Sequence, residues 1–205
     1  MKYLDFYNTF KNRLLIDVRE VRSLFPDFDS RRFYEWQKKG YIKKLSNLFY
    51  IFTDADKMIR ESEYYFISNK LVEPSYVSME SALRTYNLIP EVVFLTTCIT
   101  TRKTKMIETP IGNFQYRSIK ENLFFGYNLV DFRLAYKMAE PEKAILDFLY
   151  LRSDIQNEND IAELRLNEEV YHEIIDQEKI KRYLKEFDSN TLNKKIKKLN
   201  KVLKI

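Results

Sequence analysis

Apolar and aromatic positions in the first fifty residues take helical spacing three times and then strand spacing twice. Leu4, Tyr7 and Phe10 recur at threes and lead into Leu14 and Leu15, which predicts a short first helix ending by the Lys11-Asn12-Arg13 run. Val18, Val21, Leu24 and Phe25 predict a second helix with Asp17 as its N-cap. Pro26 stops that helix, because the residue before a proline is pushed out of the helical region. Asp29-Ser30 is a capping pair ahead of a third helix starting at Arg31, in which Phe33 and Trp36 face a core together with Ile42 just beyond. Gly40 closes it as a C-cap. Residues 41–45 and 48–52 are β-branched and aromatic runs separated by Ser46-Asn47, the pattern of a hairpin with a tight polar turn.

Helical spacing resumes from Met58 through Leu71 and breaks at Pro74. Ser78 and Ser81 are both candidate caps for a helix running to Tyr86, and residues 92–97 read as a strand by their β-branched content. Residues 105–109 and 114–119 flank Pro110-Ile111-Gly112-Asn113 as a second hairpin, and Pro141 occupies the first turn of a helix that continues to Tyr150. Ile180, Tyr183, Leu184 and Phe187 form one stripe near the end of the sequence, and Leu192, Ile196, Leu199 and Leu203 another, with a break at residues 188–190. The reading is α+β: an N-terminal winged helix-turn-helix over residues 1–56, then a mixed α+β domain over 57–205 that ends in a basic amphipathic helix.

Composition narrows the class. With 45% hydrophobic residues, 15 Tyr, 15 Phe and only 3 Gly, the chain can bury a core and is not low-complexity. No run reaches the ~18 apolar residues of a membrane span, and the start MKYLDFYNTF has no signal-peptide character, so a cytoplasmic location and no membrane partner are expected. A single cysteine, Cys98, excludes an internal disulfide and agrees with that compartment.

Charge is unevenly placed. Residues 1–60 hold 13 Lys and Arg against 8 Asp and Glu, residues 61–178 hold 12 against 20, and residues 179–205 hold 10 against 2. Basic ends attract polyanions while an acidic middle repels them, which suggests two jobs. On the third helix Arg31, Arg32, Tyr34, Glu35, Gln37, Lys38 and Lys39, with Ser30 at its start, are the candidates to enter a DNA major groove. Lys43, Lys44 and Asn47 of the hairpin are candidates to touch the flanking backbone. The competing reading is a small helical cap with a solvated charged face. Lys194, Lys195, Lys197, Lys198, Lys201 and Lys204 cover much of the last helix, which can lie on a membrane, on nucleic acid, in a partner's groove, or simply on its own domain; docking with help to DNA phosphates is the favoured reading.

Several phrases resemble a known family. Ser75-Tyr76-Val77-Ser78 with Ser81-Ala82-Leu83, Leu88-Ile89-Pro90-Glu91, Thr100-Thr101-Arg102, residues 109–116, and Ala139-Glu140-Pro141-Glu142-Lys143-Ala144-Ile145-Leu146-Asp147 look like those of the AbiEi antitoxins, in the same order and across most of the chain. That resemblance implies a type IV, abortive-infection antitoxin. Its winged helix would repress its own operon by binding upstream DNA, and the rest of the chain would counter a nucleotidyltransferase-class toxin without a stable complex. The sequence departs from the family at Leu45-Ser46-Asn47-Leu48, where a basic residue and glycine are usual, and in a shorter, more Lys-rich tail. Most of these phrases also have a plain structural meaning: Pro-Glu-Lys-Ala-Ile-Leu-Asp is an N-terminal proline, an acid near the helix dipole and a core stripe.

No enzymatic constellation stands out, so the expectation is a non-enzyme with no metal and no cofactor. Asp54-Ala55-Asp56 has the Asp-x-Asp form of a magnesium site but lacks the Gly-Ser turn of nucleotidyltransferases, and a loop or cap role is preferred. His172 is the only histidine, which excludes His-based metal sites and most triads. Cys98, in a Thr-rich apolar stretch, reads as a buried inert thiol. The alternative function is a winged-helix protein-interaction module or a stand-alone regulator without a toxin.

Overall fold

The structure is a computed structural model that describes residues 1–54, 59–90, 95–130 and 133–204. Its first unit runs α1 (Tyr3–Phe10), β1 (Ile16–Asp17), α2 (Val18–Leu24), α3 (Arg31–Lys38), β2 (Ile42–Lys44) and β3 (Phe49–Phe52). The three strands form an antiparallel sheet in the order β1-β3-β2, with Ile16 opposite Tyr50 and Lys43 opposite Ile51. The local causes are mostly the expected ones, except that Ser30, the N-cap of α3, makes no cap bond. Asp17 accepts a hydrogen bond from the Arg19 N–H, and Asp29 accepts one from the Arg31 N–H at 3.0 Å. After α3, Gly40 takes φ +72, so its own N–H reaches the Gln37 carbonyl and the Tyr41 N–H reaches that of Trp36.

An aromatic core fills this unit: Phe6, Phe10, Phe33, Trp36, Tyr50 and Phe52 are buried together with Ile16, Val18, Val21 and Ile42. Phe33 stacks on Tyr50 at 4.7 Å and Phe6 lies 4.5 Å from Trp36. The stripe on α1 differs from the expected one. Phe6 and Phe10 carry it, while Leu4 is 66% exposed and Tyr7 is only partly covered. A spacing of four suits the 3.6-residue turn as well as a spacing of three does, and the larger Phe6 ring takes the inner side. Leu14 and Leu15 lie beyond the end of α1, and Leu24, the last residue of α2, is exposed.

The remaining elements are α4 (Glu61–Leu71), β4 (Ser75–Val77), α5 (Met79–Thr85), β5 (Leu95–Thr100), β6 (Lys105–Thr109), β7 (Gly112–Ser118), a 3-10 turn (Glu121–Leu123), β8 (Tyr127–Val130), β9 (Tyr136–Ala139), α6 (Pro141–Leu151), α7 (Glu158–Ala162), α8 (Glu168–Ile174), α9 (Gln177–Phe187) and α10 (Asn190–Val202). Six strands make a mixed sheet in the order β6-β7-β5-β4-β9-β8, with β5–β7 and β4–β9 parallel. The chain is therefore α+β. Hydrogen bonds assign the two faces of this sheet. Cys98 and Tyr116 reach Ser68 of α4, whereas Tyr76, opposite Ile99 and so on the other face from Cys98, reaches Asp147 of α6.

Several expectations shift in register. The second hairpin turns at Pro110-Ile111, because Thr109 pairs with Gly112. The strand expected at 92–97 is described from Leu95 and continues to Thr100; residues 92–94 and Met58 lie outside the described residues. Ser78 is the N-cap of α5 but makes no cap bond, since its hydroxyl donates to the buried Asp147 carboxylate instead. Ser81 sits inside α5 and ties it to β5, accepting from the Thr97 N–H and donating to the Leu95 carbonyl.

β3 joins the two bodies. All four of its residues are buried, and their alternation divides them: Tyr50 and Phe52 belong to the aromatic core, while Phe49 and Ile51 join Leu15 and Leu45 in the large core of the rest of the chain. Truncation of Phe49 to alanine is expected to cost about 3–5 kcal/mol. The same experiment tests the coupling, because Trp36 is the only tryptophan and reports the first unit alone. Denaturant unfolding followed by its fluorescence and by far-UV circular dichroism should give coincident transitions. Two separate midpoints would show that the cores melt independently.

Candidate nucleic-acid interface

The face of α3 opposite Phe33 and Trp36 is wholly polar or aromatic and open to solvent. At roughly 100° per residue, Arg31, Tyr34, Glu35 and Lys38 lie at its centre. Arg32 and Lys39 flank it on one side and Gln37 on the other, all exposed. Tyr34 is 71% exposed. The arginines are engaged: Arg31 donates from Nε to Asp29 at 3.0 Å, and Arg32 pairs with Glu35 at 2.9 Å. The Lys38 and Lys39 ammonium groups have no hydrogen-bond or ion-pair partner among the described residues. Ser30, at the N-terminal end of the helix, receives a long hydrogen bond from Arg22 at 3.4 Å and is exposed. The Arg31 guanidinium and its backbone N–H hold the Asp29 carboxyl below the usual carboxylate range.

The hairpin is placed less freely than its sequence suggests. Leu45 is buried in the large core, and the Leu45 and Ser46 N–H groups both donate to the Phe49 carbonyl. The Leu48 carbonyl accepts from the Val18 N–H. Lys44 and Asn47 are exposed, and Lys43 is half-buried with a partner of its own. The structure thus gathers the α3 candidates onto one face, and sets Lys43 and Lys44 on β2 and Asn47 in a turn pinned to the body of the chain.

No protein-family model matches this chain, and no curated protein matches it. Among the described residues no group of three or more His, Cys, Asp and Glu is placed to hold a metal ion, and no helix is long and apolar enough to cross a membrane. Asp54 accepts a hydrogen bond from the Tyr7 hydroxyl at 2.9 Å, and Asp56 lies outside the described residues. His172 is exposed on α8, with its ring beside that of Tyr171.

Sequence reasoning missed a buried charged group in the second body. Lys143 and Asp147, one turn apart on α6, form an ion pair with both side chains fully buried. Tyr76 and Ser78 donate their hydroxyls to Asp147, each at 2.9 Å, and Lys143 also donates to the Tyr76 oxygen at 2.8 Å. Burial pushes the Asp147 carboxyl up and the Lys143 ammonium down, while their mutual attraction opposes both shifts. The ammonium also lies 5.0 Å over the Phe187 ring and 5.2 Å over that of Phe125. The signal was present: a lysine and an aspartate four apart inside an otherwise apolar run.

The basic last helix is docked. Leu192, Ile196, Leu199 and Leu203 are buried, and Lys195, itself buried, donates to the carbonyls of Leu149 and Arg152 at the end of α6. Lys198 donates to the Gln156 carbonyl and Lys201 pairs with Glu158 at 2.8 Å. Lys194, Lys197 and Lys204 remain outward.

Two measurements test the buried polar groups. Lys143→Met leaves a buried carboxylate without its counter-charge and is expected to destabilise the fold by about 3–5 kcal/mol in chemical denaturation; a loss below about 1 kcal/mol would mean that the pair is dispensable. Cys98 is fully buried beside Ser68, and desolvation raises its thiol pKa to about 12. The folded protein should therefore fail to react with a thiol-specific disulfide reagent at pH 8 and react once per chain after unfolding. Rapid reaction of the native protein would contradict the burial.

Proposed function

We propose that this chain is a cytoplasmic, non-enzymatic DNA-binding autorepressor and antitoxin of the type IV, abortive-infection class, in which residues 1–56 act as a winged helix-turn-helix. The observation that carries the DNA-binding reading is the outward face of α3, with its unpartnered Lys38 and Lys39 beside Arg31 and Arg32. Three helices followed by a hairpin, with the third presenting a cationic face and burying only Phe33 and Trp36, suit entry into the major groove. Ser30, Tyr34, Glu35 and Gln37 stand where side chains could meet base edges, and Lys43, Lys44 and Asn47 are the candidates for the flanking phosphates. Lys194, Lys197 and Lys204 of α10 would add long-range attraction to the phosphates.

The antitoxin part rests on the resemblance of phrase order. Tyr76, Ser78, Lys143 and Asp147, which belong to those phrases, meet in one buried cluster, so they speak for a shared fold rather than for a contact surface. The functional partner would be a nucleotidyltransferase-class toxin, countered without a stable complex. One observation favours a second reading, a protein-interaction module: Tyr34 is prominently exposed, and both arginines of α3 already have acidic partners within the unit.

Titration of the full chain against the DNA immediately upstream of its own gene, with scrambled DNA as control and at several salt concentrations, separates the two. DNA binding is expected to be sequence-selective and to weaken with salt, log affinity falling against log salt by about 0.9 per phosphate contact. Replacing Arg31, Arg32, Lys38 and Lys39 together by alanine should abolish this binding and leave protection against the toxin intact. Absence of any preference for its own upstream DNA at every salt concentration would discard the autorepressor and favour the interaction module. Loss of both activities in a normally folded variant would discard the division of labour.

A further inference from the structure

The centre of the outward face of α3 holds an acid among cations. Glu35 is the acidic residue of that helix, with its side chain 47% exposed, and Arg32 stands 2.9 Å from its carboxylate, one turn back on the helix. An acid in this position weakens attraction to phosphates, so on a DNA-reading helix it is useful only if a base rewards it. A carboxylate accepts hydrogen bonds and donates none. The major groove offers it two donors, the N4 amine of cytosine and the N6 amine of adenine. Adenine sets its N7 acceptor beside that amine, which repels a carboxylate, whereas cytosine has only a carbon-bound hydrogen there. The ion pair with Arg32 holds the carboxylate in place on the helix and brings the guanidinium beside it, carrying the paired donors that guanine O6 and N7 accept.

We propose that Glu35 is a specificity-determining residue that reads cytosine in the major groove, with Arg32 positioned by the same ion pair to meet a neighbouring guanine. This rests on the DNA-binding reading of α3. The competing role for Glu35 is a simple helix staple through its contact with the residue three positions before it, and such a staple would not select bases.

Selection of duplexes from a random-sequence pool by the full chain and by its Glu35→Gln and Glu35→Ala variants, followed by titration of the enriched duplex and its single-base variants, tests this. The unaltered chain should enrich cytosine at one position of its site, and changing that base should weaken binding roughly tenfold. Glu35→Ala should level the four bases at that position while binding random duplex more tightly, because an acid has been removed. Glu35→Gln should move the preference to adenine, since an amide presents a donor and an acceptor that match N7 and N6. Identical base preferences in all three proteins would overturn the proposal and leave the DNA-binding reading standing. Failure of the unaltered chain to enrich any sequence would instead sink the DNA-binding reading, and this proposal with it.

Discussion

One four-residue strand holds the molecule together. β3 is buried on both faces, and the two-residue period of a strand sends Tyr50 and Phe52 into the aromatic core and Phe49 and Ile51 into the larger one. Register is therefore over-determined, since a slip by one residue would exchange the occupants of both cores at once. The same strand carries the hairpin, whose tip is anchored by Leu45 in the large core. The orientation of the hairpin beside α3 is therefore set by the first unit and by the body behind it together.

The helices of the first unit were legible because their punctuation is local. Asp17, Asp29 and Gly40 act within two or three residues of themselves, and Phe33 and Trp36 need only the helical period to find their face. β3 was legible as a strand, but its double burial was not, since an unbroken apolar run reads the same whether one core or two will cover it. The α1 stripe was misplaced because Leu4 and Phe6 both fit helical spacing, and the rings of Trp36, Phe28, Phe33 and Phe52, all distant in sequence, decide between them. β8 and β9, four residues each, gave no sequence signal: β8 is a sheet edge with two exposed residues, and β9 takes its place from a parallel partner, β4, about sixty residues earlier in the chain. The candidate interface was readable as an inventory of cations. Its internal economy was not, because the Arg31–Asp29 and Arg32–Glu35 pairs depend on rotamers.

Charge in this protein divides into two populations with different physics. On α3 the pairs are open to solvent, where screening keeps each of them weak. In the second body Lys143 and Asp147 are sealed among Tyr76, Phe125 and Phe187, where the desolvation cost leaves no freedom to exchange partners. A net charge summed over the sequence treats the two alike and so overstates what is available to a partner.

The ammonium of Lys195 on the last carbonyls of α6 bears on the order in which the chain can be built. A ribosome releases the aromatic core of the first unit early, while the outer face of β3, Leu15 and Leu45 wait for the larger core. The centre of the second body is different. The carbonyls that end α6 stay without this partner until a segment some forty residues later has emerged and folded back over them. Between those two moments the nascent chain carries a finished aromatic core and a second body that still lacks its last helix.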